Sequence, residues 1–91
     1  MGIWGQRWKR YLREHKGSLY TALLLGGKLD AYVVEVDQQA QEMFLRLIEQ
    51  MAEQEGITEL LKEESQMEWV RRMNNIRNRV EEIIMEELIL T

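Results

Sequence analysis

The sequence predicts an all-α protein, a small bundle of four or five helices in one domain over residues 1–91. Three observations predict it. The chain has no proline to interrupt a helix. Apolar residues recur at three- and four-residue spacing along most of its length. Glycines divide it into segments of helical length. Two of these segments, about 31–54 and about 66–90, predict long antiparallel helices joined by a short linker, with a short N-terminal helical pair packed across them.

The first helix is predicted over about 3–15. At about 100° per residue, Trp4, Trp8, Tyr11, Leu12 and His15 share an arc of roughly 100°. Arg7, Lys9, Arg10, Arg13 and Lys16 take the other side. His15 reads as a helix-terminal histidine packed on the core. Gly17 reads as the stop and Ser18 as the cap of the next helix, about 19–25, which carries Leu19, Tyr20, Leu23, Leu24 and Leu25. Gly26-Gly27 ends that helix.

Residues 31–36, Ala-Tyr-Val-Val-Glu-Val, favour a strand by their β-branched content. A lone strand has no partner, however, and helical periodicity runs on into Ala40. The third helix is therefore predicted over about 31–54, with Val33, Val36, Ala40, Met43, Phe44, Leu47, Ile48 and Met51 as its buried stripe. Gly56 breaks the chain again. A short helix over about 59–64 follows, capped by Thr58. Ser65-Gln66-Met67-Glu68 has the Ser-x-x-Glu form of a capping box. The last helix, about 66–90, buries Trp69, Met73, Ile76, Val80, Ile83 and Leu90, widened by Val70, Ile84 and Leu88. Glu87 interrupts this heptad-like seam.

A chain of 91 residues buries only about 60–65% of its unfolded surface, so a partner or a second copy, as in a homodimer, adds to a thin stability margin. The absence of cysteine excludes disulfides, zinc-thiolate sites and thiol catalysis, and fits a cytoplasmic location. No apolar run approaches the roughly 20 residues of a membrane span. The start lacks the apolar core of a secretory signal, and Gln6 stands where a myristoylation signal has Ser or Thr.

Catalysis needs a reactive group beside an orienting one. The chain has one histidine, His15, and two serines, Ser18 and Ser65, both at predicted helix starts. There is no Glu-x-x-His metal spacing and no phosphate-cradling glycine loop. The expectation is a non-enzymatic protein with no cofactor, acting by binding.

Charge is unevenly placed. Residues 1–28 carry a net +5 and residues 29–91 a net −9, which together give the chain's −4. Three surfaces follow. The basic face of the first helix, Arg7, Lys9, Arg10, Arg13 and Lys16, is suited to phosphates, although its aromatic neighbours read as core. Arg71, Arg72, Asn74, Asn75, Arg77, Asn78 and Arg79 make a polar face on the last helix. Its asparagines are poor helix formers, and they read either as a contact surface or as hydrogen-bond partners of the Gly17 or Gly56 turns. Glu35, Asp37, Glu42, Glu49, Glu53, Glu55, Glu59, Glu63 and Glu64 make an acidic surface, which reads either as plain solubility or as a match for a basic channel on another protein. The candidate protein-binding residues are Glu42, Glu49, Glu53, Glu59, Glu63, Glu64, Arg71, Asn74, Asn75 and Asn78.

The chain resembles the TnpV family of small proteins encoded on bacterial transposons. The runs that carry the resemblance include Tyr11-Leu12-Arg13-Glu14-His15, Leu24-Leu25-Gly26-Gly27-Lys28-Leu29, Met51-Ala52-Glu53-Gln54-Glu55-Gly56 and Met73-Asn74-Asn75-Ile76-Arg77. Family members tend to have proline near positions that hold Ala31 and Glu49 here, which is expected to straighten the third helix. The resemblance implies a mobile-element origin. With the acidic helical character, it leads to an expected role as an inhibitor of a host defence nuclease, anti-CRISPR-like and directed at a type II CRISPR effector. The alternatives are a transposon accessory factor that binds DNA or assists recombination through the basic first helix, and a self-associating structural protein.

Overall fold

Gly27 and Gly56 both have φ of 69°, a left-handed backbone that costs glycine nothing, and each closes a helix. The Lys28 N–H donates to the Leu23 carbonyl at 2.9 Å and the Gly27 N–H to Leu24 at 3.2 Å. The same pair of bonds recurs from Ile57 to Ala52, 2.9 Å, and from Gly56 to Glu53, 3.2 Å. These are Schellman closures, and the second turns Ile57 into the core.

The structure, a computed structural model, describes residues 2–90. The helices are α1 (Ile3–His15), α2 (Gly17–Leu25), α3 (Leu29–Gln54), α4 (Glu59–Glu64) and α5 (Gln66–Ile84), followed by one π turn, Met85–Ile89. No strand occurs among the described residues, and residues 31–36 are helical. The described residues together form a rod of 55 × 20 × 18 Å. Arg79 of α5 meets Glu55 just beyond the end of α3. The π turn beyond α5 lies against α1, which itself packs on α3. The two long helices are therefore antiparallel.

Trp4, Ala40, Ile57, Ile76, Val80, Ile84 and Ile89 form the main buried cluster, with Met43, Phe44, Leu47, Ile48 and Met51 packed at its edge. Leu12, Leu29 and Val33 form a second cluster, and Trp8 touches both. Trp4 tilts against Phe44, ring centroids 5.7 Å apart.

Several local expectations are corrected. The chain breaks at Lys16, whose backbone leaves the helical region, and Gly17 opens α2 instead of ending α1. Ser18 lies inside α2 and caps nothing. α3 starts at Leu29, earlier than about 31, because Leu29 joins the core. Thr58 does cap α4, its Oγ1 accepting the Leu61 N–H at 3.3 Å. Ser65 occupies the cap position of α5 without a side-chain cap bond; Glu68 is engaged instead by Arg71 and Arg72. His15 is exposed and lies against the Tyr11 ring at 5.2 Å.

α5 does not run regularly to residue 90. The Leu90 N–H donates to the Met85 carbonyl at 2.7 Å, five residues back. The wider turn carries Glu86 and Glu87 outside and brings Ile89 under Ile84, both fully buried. Leu90, expected in the seam, is exposed.

Candidate functional site

Helical spacing and burial place the charged and polar candidates on separate faces. On α3 the core line runs through Val33, Val36, Ala40, Leu47 and Met51. Glu35, Glu42, Glu49 and Glu53, spaced by seven, seven and four residues, fall on the opposite side and are exposed. At 1.5 Å per residue this stripe is about 27 Å long. None of the four pairs with a basic residue among the described residues. Arg46 is the basic residue within the stripe.

Two expected members of the acidic surface lie elsewhere. Asp37 turns inward, where its Oδ1 accepts the Gly5 N–H at 2.9 Å. Glu55 is bound by Arg79 at 2.7 Å. Glu59, Glu63 and Glu64 are exposed on α4, which packs against α5 and not α3. They form a patch apart from the α3 stripe.

The basic face of α1 is divided. Arg7 is engaged internally: its Nη1 donates to Glu81 Oε1 at 3.1 Å, and its guanidinium lies 5.0 Å from the Trp4 ring centroid. Lys9, Arg10 and Arg13 line one depression with Gln6. Lys16 sits at the break between α1 and α2. Trp4 is buried and Trp8 and Tyr11 are half-buried, so the aromatic rings belong to the packing and not to a stacking platform.

On α5 the structure gathers Arg71, Arg72, Asn74, Asn75 and Asn78 around one open groove with Glu55. An adjoining depression continues from Arg71 and Asn74 to Gln66, Met67 and Val70. Glu68 anchors the groove's edge, accepting from Arg71 Nη2 at 2.6 Å and from Arg72 Nε at 2.7 Å. Hydrogen bonds from Arg71, then Arg72, hold the Glu68 carboxyl below the usual carboxylate range; the same contact pushes Arg71 above its ordinary value. The side chains of Asn74, Asn75 and Asn78 make no hydrogen bond within the described chain. They do not support the Gly17 or Gly56 turns, which corrects one of the two expectations for them. What sequence reasoning passed over is a charge break: residues 69–80 hold four arginines and no acid, inside a chain of net −4.

Among the described residues no group of His, Cys, Asp and Glu is placed to hold a metal ion. No helix is long and apolar enough to cross a membrane.

A family model described as transposon-encoded protein TnpV matches residues 1–89. No curated protein and no solved structure matches the chain.

Proposed function

Proceeding from the chain's membership of the TnpV family of transposon-encoded proteins, we propose that it acts as a non-catalytic binding protein whose α3 face docks a basic surface on a protein partner. The observation that carries this reading is the stripe of Glu35, Glu42, Glu49 and Glu53, exposed and without basic partners among the described residues. An array of unneutralised carboxylates about 27 Å long attracts a positively charged channel and accelerates the encounter. Nucleic-acid channels of nucleases have that charge and that elongated shape. The narrower form of the proposal is therefore inhibition of a host defence nuclease such as a type II CRISPR effector, with the stripe occupying the path of the nucleic acid. Glu59, Glu63 and Glu64 extend the negative field at the α4 end of the rod.

The test is co-elution of the intact protein with a purified type II effector, combined with a target-cleavage assay. A stable complex, loss of cleavage, and loss of both effects in Glu42→Gln/Glu49→Gln/Glu53→Gln are expected. A complex that survives the triple substitution removes the α3 stripe from the reading. Absence of both complex and inhibition removes the nuclease partner.

A further inference from the structure

The outward side of α5 has chemistry that the rest of the molecule does not use. Asn74, Asn75 and Asn78 lie mid-helix, at a combined propensity cost of about 2 kcal/mol, and no hydrogen bond within the described chain offsets it. Three- and four-residue spacing puts Arg71, Asn74 and Asn78 on one line. That line is opposite Trp69, Met73, Ile76 and Val80, which face the core. Asn75 lies beside it. All four polar residues are exposed.

We propose that this face of α5 enters the major groove of duplex DNA. The groove is about 12 Å wide and admits one α-helix. The occupant follows from charge and hydrogen-bonding type. Residues 69–80 are a run of four arginines with no acid, a basic stretch within the net −9 of residues 29–91. Asparagine amides present a donor and an acceptor side by side, the pair that matches the adenine edge, and an arginine guanidinium matches the guanine edge. Arg71 is 74% exposed in its side chain. Glu68 takes its Nε and Nη2, which fixes the guanidinium, while Nη1 makes no hydrogen bond within the described chain. Arg77, on one flank of the line, and Arg72, on the other, are placed for the two phosphate strands. The face lies on the side of α5 turned away from the core, on a rod only 20 × 18 Å thick. Duplex RNA is excluded by the same geometry, because its major groove is too deep and narrow for a helix.

The α5 face shares no residue with the α3 stripe of Glu35, Glu42, Glu49 and Glu53. A single protein can therefore hold a basic partner on α3 and DNA on α5.

The test is binding of the full chain to a fluorescent pool of 30-base-pair duplexes of random sequence, followed by selection of the tightest binders. Binding that falls steeply with salt and a selected motif containing adenine and guanine are expected. Asn74→Ala/Asn78→Ala, which favours the helix and keeps the fold by circular dichroism, is expected to lose the motif preference by about tenfold or more. Arg77→Glu is expected to weaken all sequences alike. Arg10→Glu/Arg13→Glu on α1 is expected to leave the preference unchanged. Three results overturn the proposal: no binding to duplex DNA at low salt, a preference that survives the double asparagine variant, or equal binding to duplex RNA. Glu42→Gln/Glu49→Gln/Glu53→Gln, which tests the protein-docking face, is expected to retain the DNA motif, so the two readings fail separately.

Discussion

The backbone N–H of Gly5 donates to the Asp37 carboxylate across 2.9 Å, so α1 takes its N-terminal cap from α3. Gly2, at the cap position, has no side chain to serve. A carboxylate at a helix N-terminus satisfies an orphan donor and meets the positive end of the helix dipole. The contact demands close approach. A Cβ on Gly5 lies 2.9 Å from Val33 Cγ1 and 3.0 Å from the Val33 carbonyl oxygen. Asp37→Ala is expected to lower stability by about 0.5–2 kcal/mol, and Gly5→Ala by about 1–3 kcal/mol through overpacking. In urea denaturation the double variant is expected to fall short of the sum, because both changes disturb one interface. Full additivity would separate the cap from the packing.

The glycines divide into two kinds. Gly56 has φ of 69°, so Gly56→Ala places a side chain in the left-handed region at a cost of about 1–2 kcal/mol. Gly17 is helical, and a Cβ there meets nothing within 4 Å. Gly17→Ala is expected to raise stability by about 0.4–1 kcal/mol through the unfolded state. Thermal melts of the two variants should move in opposite directions. A loss on Gly17→Ala would show that this glycine has a role outside the helix.

That division also marks what the sequence could reveal. The Gly26-Gly27 and Gly56 stops, the Thr58 cap and the α3 core stripe follow from local chemistry, and each is present. Gly17 looked like the others in sequence, but the break falls at Lys16, where no residue type announces it. Asp37 sits among exposed acids in the sequence, and only the α1–α3 crossing turns it inward. Ser65 and Glu68 have the spacing of a capping box, yet two arginines one turn further on draw Glu68 away. The α3 stripe and the α5 polar face were legible because helical period alone separates them from the core. The unsatisfied state of the asparagines was not, because it depends on which turns come near.

Glu68 gives a pH signature. Hydrogen bonds from Arg71 and Arg72 lower its pKa in the folded protein. A carboxyl with a depressed folded-state pKa stabilises the protein above its unfolded pKa, and that contribution is lost as pH falls through the folded value. Carbon-detected NMR titration is expected to find Glu68 below the ordinary glutamate value of 4.5. Arg71→Gln/Arg72→Gln should return it towards that value. No movement in the double variant would assign the shift to another cause.

The π turn makes the sharpest prediction about register. Ile89 is fully buried and Leu90 is 49% exposed, although a regular helix assigns the seam to Leu90. Ile89→Ala is therefore expected to cost about 2–5 kcal/mol, and Leu90→Ala no more than about 0.5 kcal/mol. The turn amounts to one extra residue in an α-helix. Deletion of Glu87 places Ile89 four positions after Ile84, which in a regular helix is the same face. The shortened protein is expected to keep its core and to lose less stability than Ile89→Ala does. If the deletion instead unfolds the protein while Ile89→Ala is mild, the wide turn itself, and not the burial of Ile89, is what holds the C-terminal end against α1.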